Sequence, residues 1–336
     1  MDRIINAKCL DLERAICRLE LVDAHYALLI LRHSLSTPKL LFTIRCSPCS
    51  MNAGLDRFDA LVRNALERVT NSKLDDKSWI QAGLPVARGG LGIRSVGLLA
   101  PSAFLASAAS TSNLQARLLP AGFNAPDFYV QSTQAIWLNR YKGTLPDESV
   151  AGKQKSWDEA CVHKGLTLLS ELSADPQFQA RFLACQADHS GDWLHAWPIS
   201  ACGLRMDDEA VRVAVGLRLG LDLCSQHPCP CGAAVDASGR HGLSCRRSKG
   251  RATRHSQIND TIYRAMTRAG IPAAREPVGL LRDDNKRPDG CSLVPWQHGR
   301  CVTWDVTVPD TFAASHLPFT SNEAGLLRPE QRLASD

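Results

Sequence analysis

No apolar stretch in the 336-residue chain approaches the roughly 18 residues that a membrane-spanning helix requires. The longest candidate, 27–31, is interrupted by Arg32 and His33. The first residues also lack the charged leader and small-residue cleavage site of a secretory signal. The apolar content of 44% and charged content of 22% exclude wholesale disorder and collagen-like repeats. We therefore expect a nuclear or cytoplasmic protein with no membrane partner, and its length predicts two or three compact units.

Cysteine is too scarce for a secreted disulfide scaffold, and the number of cysteines, thirteen, is odd. Most of the thiols are therefore expected to be reduced. Their distribution is nevertheless uneven. One short stretch contains four cysteines and two histidines, which are Cys224, His227, Cys229, Cys231, His241 and Cys245.

The chain has little net charge, +5 in total, but the charge is concentrated. Residues 240–290 contain twelve Lys or Arg residues against five acidic residues, so this stretch alone is more basic than the whole chain. A basic stretch beside a cysteine and histidine cluster is typical of contact with nucleic acid. The expected partner is DNA, with RNA as an alternative.

The first two-thirds of the chain is predicted to be mostly α-helical. Apolar residues recur at steps of three and four in two stretches, which predicts two amphipathic helices that pack together. The first stretch contains Leu12, Ile16, Leu19, Val22, Tyr26 and Leu29, and the second contains Leu55, Phe58, Leu61, Val62, Leu66 and Val69. The link at 36–52 contains two prolines and is expected to be irregular.

A glycine-rich segment follows, with Gly89, Gly90 and Gly92. Their spacing fits neither the dinucleotide-binding nor the P-loop pattern, and no Lys-Ser or Lys-Thr follows them. We therefore expect a structural turn, followed by an apolar helix that opens at Pro101. Further along, Asp175 and Asp207 are predicted helix N-caps.

Beyond the cysteine cluster the pattern predicts an α/β unit. Residues 256–269 predict a helix. Its predicted apolar stripe contains Ile258, Ile262, Ala265 and Met266. Residues 287–294 and 300–308 predict two strands around a turn at 295–299.

The cysteine cluster is a candidate zinc site. Its predicted ligands are Cys229, Cys231, His241 and Cys245. Three thiolates and one imidazole suit tetrahedral zinc, which can order a segment too small to have its own core. Because only one residue separates the first two cysteines, Cys224 or His227 could replace one of them. Gly232 and Gly239 would relieve the backbone around the ion, and the alternative interpretation is a loop of reduced cysteines.

Two aspartates are predicted to face each other across the C-terminal hairpin. Alternation along 301–308 places Asp305 on the face opposite the apolar residues. A turn at 295–299 pairs Asp289 with Asp305, and like charges at paired positions are unfavourable unless a cation lies between them. We therefore predict that Asp289 and Asp305 bind Mg²⁺, with Glu276 as a further catalytic carboxylate.

Basic residues near these two sites are the predicted nucleic-acid contacts. They are Arg246, Arg247, Lys249, Arg251, Lys286 and Arg287.

Two alternatives stay open for the carboxylate site. Asp289 and Gly290 could form a simple turn that breaks the register, and Asp260 could be a surface ion-pair partner of Arg264 instead of a ligand.

Two motifs carry a resemblance to a known family. Lys-Arg-Pro-Asp at 286–289 and Trp-Asp-Val-Thr-Val-Pro-Asp at 304–310, after the cysteine cluster, resemble the C-terminal end of non-LTR retrotransposon reverse transcriptases that carry a restriction-like endonuclease. The resemblance implies a zinc knuckle followed by a PD-(D/E)xK nuclease fold, in which Asp289 and Asp305 hold the metal. In such proteins the nuclease nicks one DNA strand to prime reverse transcription. Residues 84–93 and the helices before them resemble the thumb and connector of the same polyproteins.

Two features depart from that family. The aromatic-x-Asp-Asp turn of a polymerase palm does not occur, so no polymerase active site is expected. Thr307 occupies the position at which such nucleases usually carry a lysine, and no lysine follows Lys286. The endonuclease is therefore expected to be partial and its activity impaired.

The predicted organisation has five regions. They are a helical thumb-like region (1–120), a helical connector (121–222), a zinc knuckle (223–247), a partial restriction-like endonuclease (248–320) and an irregular tail (321–336). The predicted function is that of a retrotransposon-derived fragment with a metal-dependent, DNA-nicking endonuclease region. The alternatives are a non-catalytic, zinc-dependent nucleic-acid-binding module and a helical adaptor whose thiols bind no metal.

Overall fold

The computed structural model describes residues 1–120, 127–245, 247–280 and 287–325, apart from the side chains of residues 249 and 251. The chain divides into two compact units. The first unit is Met1–Leu223 with the segment that begins at Ala314, and the second unit is Cys224–Ala313. Helices dominate and the sheets are small, which agrees with a mostly α-helical protein. Among the described helices, none is both long enough and apolar enough to cross a membrane.

The described strands all lie in the second unit, whereas helices occur in both units. The α-helices are α1 (Asp2–Leu19), α2 (Ala24–Ile30), α3 (Thr37–Cys46), α4 (Ala53–Thr70), α5 (Asp76–Gly83), α6 (Val96–Leu118), α7 (Phe128–Tyr141), α8 (Glu148–Ala151), α9 (Gln154–Leu172), α10 (Pro176–Gln186), α11 (Asp208–Leu219), α12 (His241–Ser244), α13 (Lys249–Arg268) and α14 (Leu317–Thr320). The strands are β1 (His227–Pro228), β2 (Ala234–Val235), β3 (Ala273–Arg275), β4 (Gly290–Ser292) and β5 (Thr303–Trp304).

The predicted pair of amphipathic helices forms part of the core of the first unit, where α1 packs against α4. The buried residues of their apolar faces include Leu12, Ile16, Leu19, Leu55, Phe58, Val62 and Leu66. The first apolar stretch, however, is two helices and not one. Val22 lies in the break between α1 and α2 and is 40% exposed. The periodicity continues across the break because α2 buries Ala27 and Leu28 in the same core.

The prolines of the first unit interrupt its helices less than predicted. Residues 36–52 contain α3, because Pro38 lies in the first helical turn and Pro48 lies beyond the end. The helix α6 also does not open at Pro101 but begins at Val96 and includes the proline.

Pro101 removes the helical donor of one backbone carbonyl inside α6, and a side chain donates to that carbonyl instead. Proline cannot donate to the carbonyl four residues earlier, which belongs to Gly97. Arg140 Nη1 donates to that oxygen instead, at 2.8 Å. A side chain from α7 therefore compensates for the proline.

Other turns and helix ends of the first unit follow the predictions. Asp175 and Asp207 accept hydrogen bonds from first-turn amides of α10 and α11. Gly89 and Gly92 take the left-handed conformation, with φ of 83° and 75°. A Cβ atom on Gly90 would lie 2.0 Å from the Leu84 carbonyl oxygen, so this position requires glycine. The glycine segment is thus a tight structural turn.

The second unit contains a three-stranded antiparallel sheet, in the order β3–β4–β5, with α13 against β3. Gly290 pairs with Trp304 and Cys291 pairs with Thr303, which is the register that the sequence predicts. A Cβ atom on Gly290 would lie 2.0 Å from the Trp304 ring. Trp304 Nε1 donates to Asn259 Oδ1 at 2.9 Å, which connects β5 to α13.

The elements of the second unit differ from the predictions in extent. The strands β4 and β5 are shorter than 287–294 and 300–308, and β3 was not predicted. The helix α13 begins at Lys249 instead of residue 256. The buried side of α13 is not the predicted apolar stripe, because Ile258 is 43% exposed whereas Asn259 is buried. The face that meets the sheet is polar, so hydrophobicity did not reveal it.

Candidate metal centre and paired carboxylates

The first two candidate ligands lie at the tip of the small β1–β2 hairpin. The Cys229 amide donates to the Ala233 carbonyl at 2.8 Å. Gly232 takes a left-handed conformation with φ of 92°, as the sequence predicts for a backbone that must turn tightly. This turn brings Cys229 and Cys231 to the same site although one residue separates them.

The other two candidate ligands lie on one helical turn. His241 begins α12, and the amide of Cys245 donates to the His241 carbonyl at 2.9 Å. Residues four apart in a helical turn project from the same side. The chain enters this turn through Gly239, whose φ is 65°. The three-residue spacing between His241 and Cys245 therefore has a helical cause.

The four ligand atoms converge on one point. All of them lie within 4.8 Å of one another. Cys229 Sγ is 3.7 Å from Cys245 Sγ, and Cys231 Sγ is 3.2 Å from His241 Nε2. In a tetrahedral site with Zn–S bonds of about 2.3 Å, two sulfur ligands are about 3.8 Å apart. The cluster can therefore hold a metal ion such as zinc.

The two alternative ligands lie outside this group. Cys224 Sγ is 3.3 Å from the Asp236 carbonyl oxygen, and His227 Nδ1 is 2.8 Å from the Ser225 carbonyl oxygen. Within the group, a backbone hydrogen bond from Ala233 lowers the pKa of the Cys231 thiol, whereas hydrogen bonds to the Cys231 and Cys245 thiols help to raise the pKa of Cys229. A lower pKa favours the thiolate form, which is the form that binds metal.

The predicted basic contacts are described only in part. Arg246 and Lys286 lie outside the described residues, as do the side chains of Lys249 and Arg251. Arg287 is exposed. Arg247 is also exposed, and its Nη1 donates to the Pro230 carbonyl at 2.6 Å. This hydrogen bond connects Arg247 to the turn that carries two of the candidate ligands.

Asp289 occupies a central position in the second unit, and its side chain is only 14% exposed. Its Oδ2 accepts a hydrogen bond from the Val306 amide at 2.5 Å and lies 3.0 Å from His255 Nε2. Its carbonyl oxygen accepts from the Glu276 amide and from Asn259 Nδ2. These contacts connect Asp289 to the end of β3, to α13 and to the chain after β5.

Asp305 directly follows β5 and is exposed. Thr303 and Thr307 are exposed as well, which agrees with the alternation that the sequence predicts. Continuing the β4–β5 register by one residue would pair Asp305 with Asp289. The described register stops at the pair Gly290–Trp304, so the pairing of the two aspartates stays a prediction.

Glu276 follows β3 and is left-handed, with φ of 45°. It lines a polar cavity of about 490 Å³ together with His255, Ser256, Asn259, Tyr263 and Arg275. Across the described ranges, the Cys and His cluster is the one group of three or more potential metal ligands, so Glu276 does not complete a carboxylate site with Asp289 and Asp305. The structure thus gives no support to the magnesium prediction.

Asp260 forms the ion pair that the sequence offered as the alternative to metal binding. Its Oδ2 lies 2.7 Å from Arg264 Nε. Its Oδ1 lies 3.2 Å from Arg275 Nη1, so the same carboxylate also connects α13 to β3.

Sequence reasoning missed two residues of this region, His255 and Asn259. They lie four residues apart, so they project from the same side of α13. Both contact Asp289, and Asn259 also accepts from Trp304. The polar spacing was the only available signal, and in a basic helix such a pattern indicates a solvent-exposed face.

Neither a protein-family model nor a curated protein matches the chain. The resemblance to retrotransposon endonucleases therefore stays a prediction from two motifs.

Proposed function

We propose that the second unit, Cys224–Ala313, is a zinc-ordered nucleic-acid-binding unit from the endonuclease end of a non-LTR retrotransposon protein. The observation that carries the proposal is the convergence of four ligands directly before the basic helix α13. These ligands are Cys229, Cys231, His241 and Cys245. A bound zinc would order the backbone that leads into this helix.

The small core of the second unit supports a structural role for the metal. Among its described residues, the buried apolar side chains are Val235, Cys245, Pro288 and Cys291. A segment with so little apolar burial needs another source of stability, and small domains are commonly stabilised by a structural metal ion. Cys245, the most buried of the four ligands, would contribute to both the core and the metal site.

The charge of the second unit supports a nucleic-acid partner. Its sequence contains thirteen Lys or Arg residues against eight acidic residues, a balance of +5 that equals the net charge of the whole chain. Basic side chains bind phosphates with release of counterions, so affinity falls steeply as salt rises. The rest of the chain has no net charge and offers no comparable attraction.

The test compares two cysteine variants of the full chain, Cys231→Ser and Cys202→Ser, by fluorescence anisotropy with labelled DNA and RNA oligonucleotides. Cys231 is an exposed ligand of the cluster, and Cys202 is an exposed cysteine of the first unit. We expect Cys231→Ser to lose at least tenfold in affinity and Cys202→Ser to bind like the wild type. Equal affinity of all three proteins, or binding that is insensitive to salt, would reject the proposal.

We also propose a second candidate function, metal-dependent nicking of DNA, which rests on the sequence prediction for two aspartates. Asp289 immediately precedes Gly290 and Asp305 immediately follows Trp304, and these two neighbours are paired across β4 and β5. The two aspartates would hold the divalent cation, and a cation bound there would activate water and stabilise charge on a phosphate. Oδ2 of Asp289 already contacts two groups of the protein, and Thr307 stands where a lysine is expected. We therefore propose weak activity at most.

Nicking is tested with supercoiled plasmid and Mg²⁺ or Mn²⁺. Asp305→Asn is the informative variant, because Asp305 is exposed and its substitution should preserve the fold. Asp260→Asn removes a nearby carboxylate that forms ion pairs and serves as the control. Cation-dependent nicking that is lost in Asp305→Asn alone supports this function, and nicking that persists in Asp305→Asn excludes it.

A further inference from the structure

The outer end of the β4–β5 hairpin is unusually apolar for an exposed segment. All residues from Leu293 to Arg300 are exposed, and we call this segment the arm. Leu293 is 61% exposed, Val294 41% and Trp296 58%. A tryptophan with most of its surface in water makes little contribution to the core, so its presence at this position calls for another explanation.

The arm is held by backbone hydrogen bonds at its tip. The Trp296 amide donates to the Arg300 carbonyl at 2.8 Å, and the Arg300 amide donates to the Gln297 backbone carbonyl at 2.9 Å. His298 and Gly299 form the two-residue turn, with φ of 49° and 73°. Positive φ at both positions is typical of the tight type I′ hairpin turn. The turn therefore lies at 298–299 instead of the predicted 295–299.

The base of the arm is also fixed. Ser292 Oγ donates to the Val294 carbonyl at 2.8 Å and accepts from the Val302 amide at 3.0 Å. The Leu293 amide donates to the Pro272 carbonyl at 2.8 Å. A side chain on a segment held at both ends can bind a ligand at a small cost in conformational entropy.

The chemistry of the arm fits a nucleic-acid base better than an apolar protein surface. His298 and Arg300 follow Trp296 two and four residues later in sequence, and the unit that carries the arm has a net charge of +5. Phosphates are therefore attracted to the region in which the indole is exposed. A base without a pairing partner presents a flat face that stacks on tryptophan, and such stacking tolerates any base.

We propose that the arm is a stacking site for an unpaired base of DNA or RNA, with Trp296 as the platform and Arg300 on the adjacent phosphate. This inference rests on the proposed nucleic-acid binding and adds to it a preference for single-stranded or frayed segments. A base-paired duplex hides the faces of its bases and would gain little from the arm.

The test measures binding of a single-stranded oligonucleotide that contains 2-aminopurine, with a duplex of the same length for comparison. Stacking on an aromatic residue contributes enough that Trp296→Ala should weaken single-strand binding about tenfold. The duplex should be affected less than twofold, and the slope of affinity against salt should not change, since no phosphate contact is removed. Binding to wild type should alter the 2-aminopurine fluorescence, and binding to Trp296→Ala should not.

Two further variants separate the explanations. Trp296→Phe retains a stacking face and should keep most of the affinity. Trp197→Ala removes another exposed tryptophan, 66% exposed in the first unit, and should bind like the wild type. If wild type binds and Trp296→Ala binds equally well, the stacking site is rejected while the nucleic-acid-binding function stands. If wild type binds no oligonucleotide, both are rejected.

Discussion

At the scale of single residues, Arg218 fixes the glycine turn of the first unit. Its guanidinium is buried and donates to four backbone carbonyls at 2.7 to 3.2 Å. The acceptors are the carbonyls of Val86, Gly90, Cys185 and Ser190. Burial lowers the pKa of Arg218. Only arginine presents enough N–H groups in a fixed plane to satisfy several carbonyls at once.

Substitution of Arg218 should destabilise the first unit strongly. Arg218→Met retains much of the volume but leaves buried carbonyls without donors, which should reduce the free energy of unfolding by about 3 kcal/mol or more. Urea denaturation measures this loss. Arg205→Met is the matched control, because the Arg205–Asp23 pair is exposed and should contribute less than about 1 kcal/mol. Equal losses in the two variants would contradict the role given to Arg218.

Asp59 gives the first unit a predictable pH dependence. Its carboxylate accepts from Ser95 Oγ at 2.6 Å and from the amides of Val96 and Gly97, so a residue of α4 caps α6. Burial outweighs these hydrogen bonds and raises the pKa of Asp59 above its ordinary value of 3.8. Above that value the native state binds more protons at this site than the unfolded state. The contribution of Asp59 to stability should therefore fall as the pH rises through its raised pKa.

The comparison of wild type with Asp59→Asn isolates this contribution. Asparagine retains an acceptor oxygen but does not titrate. The difference in free energy of unfolding, wild type minus variant, should decline with rising pH from 3.8 upward. Urea denaturation at a series of pH values measures it, and a difference that is flat or rises with pH would contradict the assignment.

At the scale of elements, the contact between β4 and β5 depends on one glycine. The Trp304 ring occupies the space above Gly290, and its Nε1 donates to Asn259 of α13. Gly290→Ala should displace the indole, break this hydrogen bond and destabilise the second unit by about 2 to 3 kcal/mol. Tryptophan fluorescence during denaturation is the readout. Gly299→Ala is the control, since it places a methyl group in open space and strains only the turn.

The elements that the sequence predicted well are those with a local cause. The packed pair α1 and α4 and the caps Asp175 and Asp207 follow from periodicity and side-chain chemistry. The β4–β5 register also matches the prediction, although the turn at the tip lies at 298–299 and not at 295–299. The cysteine cluster also has a local cause, because a tight turn and a helical turn supply two ligands each.

The elements that were predicted wrongly depend on distant partners. The helix α6 continues through Pro101 because Arg140, from another helix, satisfies the free carbonyl. The buried face of α13 is polar because Asn259 bonds to Trp304 and Asp289, which are remote in sequence. Local pattern contains no information about such partners, so neither outcome could be predicted from it.

At the scale of the whole molecule, the two units differ in the extent of their apolar burial. The first unit has a large apolar core and two smaller apolar clusters. In the second unit, buried apolar side chains are few among the residues described, and the Cys and His cluster offers a metal site. Basic charge is concentrated in that second unit. The proposed stability and binding of the second unit therefore depend on a metal ion at Cys229, Cys231, His241 and Cys245.

The mass of the full chain under non-denaturing conditions measures that ion directly. We predict one zinc per wild-type chain, none in Cys245→Ser, and one in Cys46→Ser, which alters a cysteine outside the cluster. A wild-type chain without zinc, or a Cys245→Ser variant that retains it, would show that these four residues do not form a zinc site.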